Sequence, residues 1–149
     1  MNRPRVLPPA YFYLSLMTML ALHFLFPVLK IIPSPWNVIG VIFLVAGIAL
    51  SLMGDGAFRK VGTTIKPYQE STTLVTENVF RFSRNPMYLG YVLLLSGAAL
   101  LMGSLTSFLV IPLFIVLIGK LFIPIEEEML TAKFGQAYLD YKKRVRRWI

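Results

Sequence analysis

The sequence predicts an all-α fold, a polytopic membrane helix bundle of four transmembrane helices followed by a C-terminal amphipathic helix at the interface. Hydrophobic residues make up 56% of the chain and its mean hydropathy is +0.68, while charged residues fall to 15%, well short of the roughly 25% typical of soluble domains. The apolar residues gather in runs long enough to cross a bilayer, for which about 20 residues of helix suffice. The charges stand mainly between and after those runs. Four or five spans in 149 residues would leave little room for a separate soluble module, so residues 1–149 read as one domain with its chemistry at the membrane edge.

Val6 to Leu29 is a run of 24 uncharged residues that opens on Pro8-Pro9 and closes near Pro27 and Lys30. It predicts a first span over about residues 8–30. Arg3 and Arg5 ahead of it also fit a signal peptide, but the run is longer than a usual signal core and no small-residue cleavage motif follows, so a retained anchor is expected. Ile31 to Gly54 is a second uncharged run of 24 residues. Pro33-Ser34-Pro35 makes the turn, Trp36 takes an interfacial position, and the helix is expected over 36–54.

Asp55 to Arg84 is polar, with three acids, five bases and the turn signals Gly62-Thr63-Thr64 and Lys66-Pro67. It reads as a cytoplasmic loop over 55–85, long for a plain connector, and long loops are often functional. From Asn85 to Gly119 there are 35 uncharged residues, which as one straight helix would extend about 52 Å. That overshoots a hydrocarbon core of about 30 Å. The group Gly103-Ser104-Leu105-Thr106-Ser107 breaks the run into spans over 87–102 and 106–124, with Lys120 snorkelling to the interface. Gly90, Gly97, Ala98 and Ala99 suit close packing of the third helix.

From residue 125 the chain is a polar tail. Phe134, Tyr138, Tyr141, Val145 and Trp148 recur at spacings of four, three, four and three, one face of a helix. Lys142, Lys143, Arg144, Arg146 and Arg147 fill the other face, so the tail is expected on the membrane surface against anionic headgroups.

Four spans put both termini on one side. Of the 15 bases, 14 then fall on that side and Lys30 alone on the other, with all seven acids beside the 14. The positive-inside rule makes that side the cytoplasm. The chain has no cysteine and one histidine, His23, which excludes disulfides, thiolate chemistry and the usual zinc ligand sets; no metal is expected. His23 reads as a neutral imidazole bonded to a neighbouring helix rather than a substrate contact. Nucleic acid is disfavoured as a partner of the +8 net charge, because the basic tail interleaves with an apolar stripe and follows a span.

Topology brings Arg81, Arg84, Asn85, Tyr88, Glu126, Glu127, Tyr138 and Tyr141 to one surface. In Arg84-Asn85-Pro86-Met87-Tyr88 the proline suits the first turn of a helix, so helix initiation with a basic flank accounts for it as well as a site does. Glu126-Glu127-Glu128 is harder to explain by folding. Three adjacent carboxylates repel one another and oppose both a helix C-terminus and an anionic leaflet. They serve either structural pairing with nearby bases or a site.

The stretch Thr72 to Gly90 (TTLVTENVFRFSRNPMYLG) and the stretch Glu126 to Val145 (EEEMLTAKFGQAYLDYKKRV) resemble the two signature regions of the isoprenylcysteine carboxyl methyltransferase family, part of a superfamily that also holds phospholipid methyltransferases. The two occur in order, separated by an apolar hairpin of the right size, and cover about the C-terminal half. Phe58-Arg59-Lys60 and Gly62-Thr63-Thr64 resemble bacterial members, which implies a bacterial or archaeal cytoplasmic membrane. The resemblance implies S-adenosylmethionine as cofactor, held by Thr72, Thr73, Leu74, Val75, Phe80, Asn85, Pro86, Met87, Tyr88 and Glu126. The chain departs from the family at Asn85, often a histidine, so a proton-transfer role there is not expected. It departs again at Phe122, where members acting on prenylated cysteine carry arginine.

The expected reaction is methyl transfer to a lipophilic acceptor at the cytoplasmic face, either the carboxylate of an isoprenylcysteine-like compound or the amine of a phospholipid headgroup. Arg84, or Arg81, would position a carboxylate; Glu127 would be the general base for an amine. Membrane lipids are the other expected partners. Two alternatives stand beside this reading, a non-enzymatic small membrane protein or transporter subunit and a sterol-reductase-like oxidoreductase, the latter without a Gly-rich phosphate fingerprint to support it.

Overall fold

The computed structural model describes residues 7–26, 28–62 and 73–149. Within them the protein is helical, with no strand: α1 (Pro8–Leu25), α2 (Gly40–Lys60), α3 (Pro86–Met102), α4 (Leu105–Leu121), α5 (Ile123–Phe134) and α6 (Gln136–Arg144), with 3₁₀ turns at Trp36–Ile39 and Asn78–Arg81. Two continuous helical stretches, Trp36–Lys60 and Leu105–Phe134, are long and apolar enough to cross a membrane; α3 is a shorter apolar helix. Side chains such as Leu14, Met17, Phe24, Ile42, Val45, Leu52, Leu109 and Leu113 stand more than half exposed. So broad an apolar surface needs a cover that water does not provide.

α3 lies at the centre. On one side α2 packs along it through glycines, because a Cβ on Gly47 would stand 2.8 Å from the Gly90 carbonyl oxygen and one on Gly97 would stand 2.7 Å from that of Gly40. Backbone meets backbone there, as small residues permit in membrane helix pairs. On its other side, Leu95, Ala99 and Tyr88 pack with Val110, Phe114, Ile118 and Phe122 of the α4 side and Met19 of α1.

The α3–α4 turn closes on Gly103, in the left-handed region at φ 67°. Its carbonyl accepts from the Ile31 and Ile32 amides at 2.8 and 3.2 Å, and Leu105 N donates to Leu29 O at 2.9 Å. The link between α1 and α2 is thus stitched to this turn. Here His23 Nδ1 meets Ser104 Oγ, at the start of α4, at 2.9 Å.

Three boundaries differ from those read in the sequence. α1 ends at Leu25, and Leu29, Ile31 and Ile32 bond to the Gly103 turn instead of continuing a helix. α2 continues to Lys60, six residues past the expected end and into the polar segment, with Arg59 paired to Asp55 at 2.7 Å one turn earlier. The tail is not one surface helix. α5 continues α4 after a break at Phe122, and Gly135, at φ 52°, separates it from α6. The aromatic face of α6 meets protein, since Tyr138, Tyr141 and Val145 are buried with Ala57, Val79 and Phe80.

Candidate active site

Two helix starts form the site. Asn85 precedes α3, its amide donating to Ser83 Oγ at 3.1 Å and its carbonyl accepting from Leu89 N at 3.0 Å, and Pro86 takes the first helical position, where its missing N–H costs nothing. α5 likewise carries Pro124 in its first turn, and Glu126 N donates to Phe122 O at 3.0 Å. The starts meet: Tyr88 Oη donates to Glu126 Oε1 at 2.6 Å. Tyr88 is buried, so the contact is shielded from water, and burial pushes the Glu126 carboxyl up to about 7 although this hydrogen bond works to lower it.

One residue along α5 turns the side chain by about 100°, and Glu127 enters a different environment. Arg147 grips it with two prongs, Nε to Oε1 at 3.1 Å and Nη2 to Oε2 at 2.9 Å. Lys142 Nζ reaches Oε2 at 3.2 Å and Arg84 Nη1 stands 3.1 Å from Oε1. Three cations thus share one carboxylate that is only 7% exposed, leaving the cluster at +2. Glu127's acceptor capacity is committed to these cations, which makes it an organising anion and a poor candidate for the general base expected of it. Its hydrogen bond also raises the Arg147 guanidinium further above its usual range.

The C-terminal residues run back over the start of α3 as a strap. Arg84 N donates to Arg146 O at 3.0 Å, and Asn85 Nδ2 and Ser83 Oγ donate to Arg147 O at 2.9 and 3.4 Å. Asn85's amide therefore serves the strap. Beside it lies an apolar wall in which Leu74, Val75 and Phe80 pack with Phe58, Tyr138 and Tyr141, the Phe58 and Phe80 rings edge to face at 5.2 Å. Tyr141 Oη donates to Phe80 O at 2.7 Å. Burial holds both the Tyr138 and the Tyr141 hydroxyls above the usual phenol range, so both stay protonated donors.

Of the expected residues, Arg84, Asn85, Pro86, Tyr88, Glu126 and Glu127 are brought together by these two starts, and Leu74, Val75 and Phe80 form the wall. Thr73 is an exposed bend residue. Met87 turns to α2, its Cγ 2.8 Å from where a Cβ on Gly54 would stand. Thr72, with Thr63 and Thr64, lies outside the described residues. Phe122, at the family's arginine position, is fully buried against the edge of Tyr11 at 5.2 Å between ring centres. Among the described residues, no group of three His, Cys, Asp or Glu is placed to hold a metal ion. Sequence reasoning missed the strap carbonyls and the roles of Lys142 and Arg147; the run of bases after Tyr141 was the one available signal.

The fold and site define a helical membrane protein with a polar, charge-organised site where its helices leave the apolar layer. The pattern of the phospholipid methyltransferase family matches residues 36–137, and the chain belongs to that family of membrane methyltransferases. Protein-S-isoprenylcysteine O-methyltransferase A of Arabidopsis thaliana is 30% identical over 142 residues, 89% of this chain and 68% of the plant protein. Protein-S-isoprenylcysteine O-methyltransferase of Schizosaccharomyces pombe is 35% identical over 75 residues, and the match spans only 30% of the yeast protein. An uncharacterized protein of Haemophilus influenzae is 40% identical over 63 residues, its whole length. No solved structure matches the chain.

Proposed function

We propose that this protein is a four-span methyltransferase that uses S-adenosylmethionine to methylate a lipophilic acceptor at the cytoplasmic face. Helices α1 to α4 are the spans. The Gly103 turn with Lys30 marks the outer end, and the starts of α3 and α5 mark the inner one, where the bases and acids collect. The observation that carries the reading is the Tyr88–Glu126 contact, which joins residues 38 apart in the chain and unites the two signature regions in one site.

The residues present suit the cofactor. The Arg84 side chain is only 10% exposed, and while its Nη1 faces Glu127 its Nε makes no hydrogen bond, so a donor remains for an anionic group such as an amino-acid carboxylate. Glu126 offers a carboxylate to an ammonium or to ribose hydroxyls, and the wall of Leu74, Val75 and Phe80 offers an apolar surface to a base. When bound, S-adenosylmethionine supplies an electrophilic methyl group on a sulfonium. The chain's part is to align the acceptor and keep water away. Tyr88 holds Glu126 in place, Glu127 gathers Arg84, Lys142 and Arg147, and the strap closes over the start of α3.

The +2 cluster favours an anionic acceptor, so an isoprenylcysteine-like carboxylate is the first reading. A phospholipid amine is the second, favoured by Phe122 in the arginine position. Purified protein incubated with methyl-labelled cofactor and either a prenylcysteine or phosphatidylethanolamine vesicles distinguishes them. A methyl ester releases its label in base and a methylamine retains it; transfer to neither acceptor would contradict the proposal.

A further inference from the structure

A cleft of about 220 Å³ opens beside α6, lined by Thr76, Arg81, Tyr141, Arg144 and Val145. It shares no lining residue with the Arg84–Glu127 cluster. Among the described residues its lining carries two arginines, Arg81 and Arg144, and no carboxylate. Arg81 makes no ion pair among the described residues. Arg144 commits only Nε, to Asp140 O at a long 3.4 Å. Asp140 Oδ1 accepts from both Lys143 and Gln136, and the Arg144 charge acts on this exposed carboxylate only at longer range. Tyr141's hydroxyl is bonded to Phe80 O, which leaves its ring as a wall and Thr76 as the hydroxyl of the lining.

Two arginines converging on one cleft repel unless an anion joins them, and a phosphate accepts from both forks at once. The volume lies below the roughly 300–1,000 Å³ of sites for drug-sized ligands, so it suits one phosphate or phosphodiester and not a nucleoside cofactor. Phe82, next to Arg81, is 77% exposed. An exposed apolar ring beside a base suits a surface that meets the acyl boundary with one and the headgroups with the other.

We propose that this cleft binds the phosphate of a phospholipid headgroup and so seats α6 on the anionic leaflet. The site is independent of which acceptor is methylated, and it stands or falls by binding alone. The test titrates the full-length protein in neutral detergent with dihexanoylphosphatidylglycerol, following its phosphorus resonance, and then adds inorganic phosphate or dihexanoylglycerol as competitors. The expected result is saturable binding of the phospholipid, no competition by the neutral diacylglycerol and only weak competition by inorganic phosphate. Arg81→Gln and Arg144→Gln should each weaken binding about tenfold, Arg81→Lys should weaken it less, and Arg146→Gln, outside the cleft but equal in charge change, about twofold at most. Circular dichroism checks that each variant is folded. Equal losses in all three glutamine variants would mean diffuse attraction and overturn the proposal. So would inorganic phosphate binding as tightly as the lipid with the same arginine dependence, which would make the ligand free phosphate.

Discussion

Tyr88 and Glu126 meet through a 2.6 Å hydrogen bond from the phenol to the carboxylate, although 38 residues separate them. The bond fixes the start of α5 against the start of α3. Tyr88→Phe keeps the ring and removes the donor, at a cost of about 0.5–1.5 kcal/mol, because burial pushes the Glu126 carboxyl up to about 7 and leaves it only partly ionised at neutral pH. If Glu126 is the cofactor contact, the variant binds S-adenosylmethionine about tenfold more weakly or worse, with little change in helix content. Unchanged affinity in calorimetry would make the bond purely structural.

Glu127 is the hub of three cations, and removing it leaves them facing one another. Glu127→Ala is expected to destabilise the protein by about 3 kcal/mol, as broken buried pairs do. Glu127→Gln, which still accepts hydrogen bonds, costs less, and Lys142→Ala, whose side chain is 36% exposed, costs under about 1 kcal/mol. Denaturant titration in mixed micelles gives the order; a Glu127→Ala variant as stable as the parent would show that the cluster is not a structural anchor.

The α2–α3 seam has no space for side chains. Gly97→Ala pushes a methyl toward the Gly40 carbonyl and is expected to destabilise by about 1–3 kcal/mol through overpacking. Gly56→Ala, on the partner helix α2 with nothing within 4 Å of the new Cβ, is expected to be neutral or to stabilise by up to about 1 kcal/mol through helix propensity. Thermal melts of the pair measure the contrast, and equal effects would place the seam elsewhere.

Phe122 stands where the sequence resemblance implies an arginine for members acting on prenylated cysteine, yet it is fully buried in the core. Phe122→Arg places an unpaired charge there and is expected to cost more than about 3 kcal/mol, whereas Phe122→Leu costs about 1.5 kcal/mol or less. An arginine variant that stays folded would show that this position opens onto a polar site.

Much of this arrangement was legible in the residues. The uncharged runs mark the helices, and the order of Arg84 to Tyr88 and Glu126 to Glu128 around an apolar hairpin brings them to one end. What periodicity shows is that a face is apolar, not what covers it. Tyr138, Tyr141 and Val145 were legible as a face, but Phe80 and Ala57 as their cover were not. Polar residues do not by themselves end a helix, and the Asp55–Arg59 pair lets α2 run past Gly54. The strap was invisible because its bonds end on the carbonyls of Arg146 and Arg147, which carry no side-chain signal. The pairing of Glu127 with Arg147 was hidden among six bases of the tail, any of which matched it by charge alone.

The central claim is that Glu126 and its neighbours form a methyl-donor site. Isothermal titration of the purified protein with S-adenosylmethionine, beside Glu126→Ala, tests it most directly. The account predicts saturable binding to one site per chain, weakened at least about tenfold by the substitution. Folded wild-type protein that takes up no cofactor, or binds it equally well without the Glu126 carboxylate, would contradict it.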